Sequence, residues 1–352
     1  MALPHLARSD DDERLTMRGG YTPVERMRMA TPDKRIYVRE VASGEYNLEE
    51  FRQQQLERAR VRDSDLDIHG RPSTEHEEAE SPAPWRLGPG DEDFLTQSVQ
   101  VHFRNLRPGL KSGKHGHQNE AIFYILEGQG YDIDDEIRYE YSAGDTLIVN
   151  NDSVHQHFNA SETEWCKILV LKAKSLYLML GLVEQGREKS QPDESFGPRE
   201  AWGGVWTEGV EDLKKVIRAT DGEWVDDKRI GLIRRIVDKD EPGARCFSMD
   251  VFEQVVQPGE SSVKHRHMAD EVVYVISGEG ESTQRDVRSD IDSKYYARVS
   301  KDERTLSIKA GDAVYVPHNC IHQFTNTGDQ PLRLLSGQNR AFRHLGYESI
   351  LA

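Results

Sequence analysis

Cysteine is scarce in this chain and long apolar runs are missing, and each lack closes off a class of protein. Cys166, Cys246 and Cys320 are odd in number and far apart, so they offer no disulfide framework. No stretch of about 18 apolar residues is present to cross a bilayer as a helix. The opening "MALPHLARSDDDERL" lacks the apolar core of a secretory signal, and a cytoplasmic protein is expected. Positive charge is short as well: 46 Lys and Arg stand against 62 Asp and Glu, a formal net charge of −16. Such a chain repels phosphate backbones and anionic membranes, so neither nucleic acid nor a membrane is an expected partner.

What is present changes along the chain. Residues 1–95 are mostly polar and read as an N-terminal extension. Within it "SGEYNLEEFRQQQLERARVRD" predicts one helix, N-capped by Asn47 with Glu49 and Glu50 in its first turn. "GRPSTEHEEAESPAPW" has nothing to bury and reads as a mobile linker. From about residue 98 the texture turns to short β-rich runs between turn residues, a spacing that suggests a sandwich or barrel.

Internal repetition fixes the organisation. "VHFRNLRPGLKSGKHGHQNEAIFYILEGQG" (101–130) lies without gaps over "VFEQVVQPGESSVKHRHMADEVVYVISGEG" (251–280) at an offset of 150. His115 falls on His265, His117 on His267, Tyr124 on Tyr274, and both terminal glycines coincide. A second pair, "AGDTLIVNNDSVHQHFN" (143–159) and "AGDAVYVPHNCIHQFTN" (310–326), follows at an offset of 167. The extra residues fall in the charged insertion "RDVRSDIDSKYYARVSKDERT" (285–305). The reading is therefore a tandem duplication: one β domain over 96–181, a linker over 182–240 with a helix-like run "GVEDLKKVI", and a second β domain over 241–352.

Each copy carries one histidine pattern. His-x-His on a strand places both imidazoles on one face, because strand side chains repeat with period two. A third histidine, His155 or His322, arrives from a later strand. Three neutral imidazoles converging inside a barrel suit a first-row metal with open coordination positions.

"HRHMADEVVYVISGEG" and "GDAVYVPHNCIHQFTN" resemble the two signature motifs of the cupin superfamily, and the whole chain then resembles a bicupin. The resemblance implies an all-β-dominated fold of two tandem jelly-roll barrels, with the helical and irregular N-terminal extension and the short helical linker outside them. The second copy matches the family's full ligand set: His265, His267, Glu271 and His322. The first does not, because Ala121 stands where the glutamate belongs. Glu120 is one residue out of step and should turn off the metal face.

A three-histidine first site, His115, His117 and His155, followed by "HQH" on the return strand, is similar to the gentisate/salicylate 1,2-dioxygenases. That resemblance implies Fe(II) at the first cupin, a small aromatic substrate, O2, and a homo-oligomer. It gives His157 a substrate-side acid–base role. The second cupin is then open to Fe(II), Mn(II) or another divalent metal. One departure is Phe123, where those enzymes commonly place an arginine against the substrate carboxylate. Arg104 and Arg86 are the replacement candidates, since a guanidinium grips a carboxylate bidentately, and His102 is a candidate for lining the pocket. Two other readings stand beside this one: an oxalate-decarboxylase-like Mn or Fe bicupin working at the second site, and a non-catalytic, metal-stabilised binding bicupin.

Overall fold

The computed structural model describes residues 60–62, 86–87, 96, 98–151, 153–182, 185–187, 212–238, 243–291 and 295–347. The expected N-terminal helix therefore lies outside the described residues, except at its end. There Val61–Arg62 is a strand rather than helix, pairing with Val314 and Ala313 of the second repeat. Arg60 anchors it, buried in an ion pair with Asp286 (2.9 Å) and a hydrogen bond to Gln284 (3.1 Å). A buried charge of this kind needs partners, and the sheet edge supplies both.

The described elements are almost all strands, grouped as two barrels. In the first, a six-stranded sheet contains Gln100–Leu106, Ala121–Glu127, Thr146–Val149 and Cys166–Lys172. It faces a five-stranded sheet with His115–His117, Gln129–Asp134, Ile137–Ser142 and Ser153–Asn159. The second barrel repeats the plan. A seven-stranded sheet holds Met249–Val256, Glu271–Ser277, Ala313–Val316 and Leu332–Asn339, and a three-stranded sheet holds Glu279–Arg285, Arg304–Lys309 and Ile321–Asn326. The charged insertion folds as a hairpin, Val287–Ile291 against Tyr295–Val299. Among the described residues no helix is long and apolar enough to cross a membrane.

The helix-like run of the linker is a correction. Its described part ends in the strand Val216–Ile217, which pairs with Leu147 and Thr146 at the edge of the first barrel. Local helix propensity is a weak prior, and an unfilled sheet edge outcompetes it here. A short helix does occur earlier, at Lys174–Met179.

The glycines shared by the repeats answer to crowding. Gly128 and Gly278 hold φ of +83° and +84°, and a Cβ at Gly130 or Gly280 would sit 2.3 or 2.2 Å from a backbone carbonyl of the facing strand.

Alternate residues of the large sheets serve two cores. Ala121, Phe123 and Ile125 point into the first barrel with Ile168 and Val170. Ile122, Tyr124, Leu169 and Leu171 point the other way, into an apolar layer shared with Val251, Val272, Tyr315 and Leu335 of the second barrel. Burial on both faces is why "AIFYILEG" reads as an unbroken apolar run rather than an alternating one. Each such aliphatic side chain contributes about 1.5–3 kcal/mol of transfer free energy, so the two barrels are bonded back to back. Tyr124 donates a 2.6 Å hydrogen bond across the layer to Glu253, itself paired with Arg234.

Two carboxylates close this interface reciprocally. Fully buried Glu120 accepts from the backbone N–H groups of Phe247 (2.9 Å) and Ser248 (2.8 Å) and from the Ser248 hydroxyl (2.7 Å). Asp270, its counterpart in the second copy, accepts from the Ser98 N–H (2.9 Å) and the Ser98 hydroxyl. Ser98 and Ser248 are themselves counterparts at the same offset of 150.

Candidate metal centres

The first site forms where His115 pairs directly with His155 across two antiparallel strands, and His117 follows two residues on, on the same face. The three rings lie 4.5, 5.2 and 5.5 Å apart, and one ligand atom from each lies within 4.8 Å of the others. His115 Nδ1–H donates to the Gly113 carbonyl at 3.0 Å, and His117 Nδ1–H to that of Asn119 at 2.6 Å. His155 Nδ1–H donates instead to the Asp132 carboxylate at 3.4 Å. These bonds take up the Nδ1 atoms and leave each Nε2 for the common point; that of His155 is buried with no hydrogen-bond partner. Burial, reinforced by the His155 imidazole and by Arg104, holds His115 down at about 2. Burial likewise holds His155 at about 3 and pulls His117 well below its ordinary value. Neutral imidazoles, with the Nε2 of His155 buried and unpartnered, are what a divalent cation requires, so this donor set fits one.

The second site is nearly superimposable in its histidines. His265 and His322 exchange backbone hydrogen bonds of 3.1 and 2.8 Å, and the rings of His265, His267 and His322 lie 4.3, 5.1 and 5.6 Å apart. All three Nδ1–H groups donate to backbone carbonyls, those of Val263, Ala269 and Cys320. Here the carboxylate is present: Glu271 Oε2 stands 3.3 Å from His267 Nε2 and 3.4 Å from His322 Nε2. Burial opposes its charge, but the His267 hydrogen bond and the two imidazoles hold its pKa well below the ordinary carboxylate range. Ser336 and Gln338 both donate to its other oxygen.

Register locates the missing ligand of the first site. Glu271 pairs with Val316, and Ala121 pairs with Val149, the residue equivalent to Val316. Ala121 therefore occupies the glutamate's place, and Glu120 turns away into the clasp described above.

Around this vacancy the first barrel is lined unlike the second. His157 lies one inward step beyond His155, its ring 4.8 Å away, with both ring nitrogens buried and unpartnered. Its pKa too is lowered by burial, so it is neutral. The Phe123 ring packs 4.4 Å from His157 and 5.8 Å from His155, an apolar wall at the position of the absent arginine. Arg104 and His102 pair with Ile168 and Val170, which puts them on the barrel-facing side of their strand. Arg104 is close enough to depress His115, His155 and His157 electrostatically. Arg86 pairs in register with His102 at the sheet edge.

Lys172 was not among the residues singled out from sequence, yet its charge acts on His115, His117 and His155. It is the counterpart of Gln338: the two pair with the equivalent residues Gln100 and Asp250. Laying "CKILVLKA" over "LRLLSGQN" would have found it.

Asp132 was missed as well. It lies fully buried opposite His157 in the strand register, 3.2 Å from His157 Nδ1 without hydrogen-bonding to it. Burial pushes its carboxyl up to about 8.

Comparison with known proteins agrees with this geometry. A cupin domain model matches residues 102–172, and a second cupin model matches 222–342, together more than half of the chain. Among solved structures, salicylate 1,2-dioxygenase from Pseudaminobacter salicylatoxidans superposes with a TM-score of 0.55 at 12% identity, covering 74% of this chain and 76% of that one. A variant of that enzyme in complex with gentisate superposes with a TM-score of 0.54 at 13% identity, covering 74% and 75%. At such identities the likeness is one of fold. An uncharacterized protein of Methanocaldococcus jannaschii is 25% identical over 93 residues, 26% of this chain, and the match spans 61% of that relative's length.

Proposed function

The chain belongs to the cupin superfamily, as a bicupin resembling the gentisate/salicylate dioxygenases, and from that premise we propose that it is an Fe(II)-dependent dioxygenase. It opens the ring of a hydroxylated aromatic such as a gentisate, substituted salicylate or hydroquinone with O2, at the three-histidine centre of its first cupin. The observation that carries this reading is the pairing of a complete histidine triad with Ala121 at the fourth position, which leaves room on one metal for both a chelating substrate and O2. Fe(II) bound by His115, His117 and His155 would supply the electron transfer that O2 chemistry needs.

The chain's own residues do the rest. Neutral His157 accepts the substrate's phenolic proton and returns it later. Phe123 and the barrel wall exclude water on one side. Arg104, with Lys172, offers positive charge for a substrate carboxylate.

A second reading has one observation in its favour: the second cupin holds the full four-ligand set with an ionised Glu271, which suits Mn(II) or Fe(II) and a decarboxylase-type reaction. One experiment separates them. Oxygen uptake by Fe(II)-reconstituted protein is measured against a panel of hydroxybenzoates, aminophenols and hydroquinones, with His115→Ala and His265→Ala beside the parent. Uptake lost only with His115→Ala supports the proposal; uptake lost only with His265→Ala moves the chemistry to the second cupin. No uptake with any phenol favours a binding role.

A further inference from the structure

Asp132 stands out because the equivalent position of the second barrel carries no carboxylate. Its counterpart is Ser282: Asp132 pairs with His157, and Ser282 pairs with Phe324, the residue equivalent to His157. Of the six histidines in the two triads, only His155 turns its Nδ1–H to a carboxylate; the other five donate to backbone carbonyls. Asp132 is fully buried, and its second oxygen has no hydrogen-bond partner. A carboxylate kept in that condition costs stability, and a site that retains one uses it.

We infer that Asp132 is the positioning residue of the first metal centre: the carboxylate absent from the ligand shell at Ala121 has been moved behind the ligand His155. In the second cupin the negative charge of Glu271 is beside the ligand imidazoles. In the first, the Asp132 carboxyl lies one imidazole further out, hydrogen-bonded to the far nitrogen of His155, where a bound divalent cation would favour its ionised form. Three consequences follow. The hydrogen bond fixes the His155 tautomer with Nε2 toward the metal and makes that nitrogen a stronger donor. The charge of a bound divalent cation is partly balanced without occupying a coordination position. The same oxygen lies 3.2 Å from His157 Nδ1, so one carboxylate orients the metal ligand and polarises the acid–base histidine together.

This inference rests on the first cupin being a metal centre, not on the reaction proposed for it. The test uses the full-length apo protein titrated with Co(II) in the absence of O2. The second cupin, with its different donor set, acts as the internal reference. Asp132→Asn removes the charge at constant size, Asp132→Ser installs the residue the second barrel already accommodates, and Asp132→Glu is the conservative rescue. Asn and Ser are expected to weaken Co(II) binding at the first cupin by about ten- to a hundredfold, shift its visible bands, and leave the second cupin unchanged, with Glu recovering part of the affinity. Parent-like affinity and bands in both Asn and Ser overturn the inference. So does an equal loss at both cupins with a lowered apo melting temperature, which marks general damage. Failure of oxygen uptake with an intact Asp132 effect sinks the dioxygenase reading alone. Absence of Co(II) binding at the parent's first cupin overturns the metal centre itself.

Discussion

The two barrels hold histidine triads whose ring separations agree within 0.2 Å, 4.5, 5.2 and 5.5 Å in one and 4.3, 5.1 and 5.6 Å in the other. Their surroundings share almost nothing. Ala121, Lys172, Asp132 and His157 in the first answer to Glu271, Gln338, Ser282 and Phe324 in the second. The backbone thus keeps the triad, while the lining decides how many coordination positions stay open and what charge faces them. Duplication preserved the scaffold and let the wall diverge.

That contrast can be broken from either side. The largest effect is expected from His115→Ala, which should abolish oxygen uptake with the cognate phenol, whereas His265→Ala should leave most of it; initial rates in an oxygen electrode decide. Next, Ala121→Glu rebuilds the second cupin's ligand set in the first. Metal affinity should rise while turnover falls about a hundredfold, because the carboxylate takes the position meant for substrate; titration and turnover are measured on one preparation. Third, the clasps should differ in strength. Glu120→Ala strands the N–H groups of Phe247 and Ser248 and the Ser248 hydroxyl and should cost about 3 kcal/mol, and Asp270→Ala, which releases the Ser98 N–H and hydroxyl, somewhat less; urea unfolding ranks them. Fourth, Lys172→Gln copies the second barrel and should raise KM about tenfold for carboxylated phenols, with little change for uncarboxylated ones.

The smallest effect is acid sensitivity of the apo protein. His115 and His155 are held at about 2 and 3 in the fold, below the unfolded value of about 6.5. The unfolded chain therefore binds more protons once pH drops below that value. Stability contributed by these groups is whole above about pH 6.5 and declines as pH falls toward 3. Melting curves of the apo protein between those limits should show it, and bound metal should flatten the decline.

Much of this was legible in the sequence. The offset of 150 aligned both His-x-His pairs and set Ala121 against Glu271, and period-two alternation turned Glu120 off the metal face; the strand register pairs Ala121 and Glu271 with equivalent residues. What escaped were residues whose role depends on contacts far along the chain. Val61 and Val216 sit in stretches of helical texture and became edge strands because a barrel 250 or 70 residues away offered an unpaired edge. Asp132 had no signal in its own neighbourhood, since "GYDIDDE" reads as an ordinary polar turn; only the register against Ser153–Asn159 brings it behind His155. Glu120 was recognised as no ligand, but nothing near it in sequence pointed to Ser248 as its partner.

The reciprocal clasp has a consequence for how this chain can change. Position 120 and its counterpart 270 both remain acidic, and both hold the chain that leads into the opposite half. The very next positions, 121 and 271, have parted completely. A residue that grips the other copy can be replaced only together with its distant partner, while a residue that faces its own cavity answers to that cavity alone. The boundary between what the two halves must keep in common and what each is free to reinvent runs through a single peptide bond.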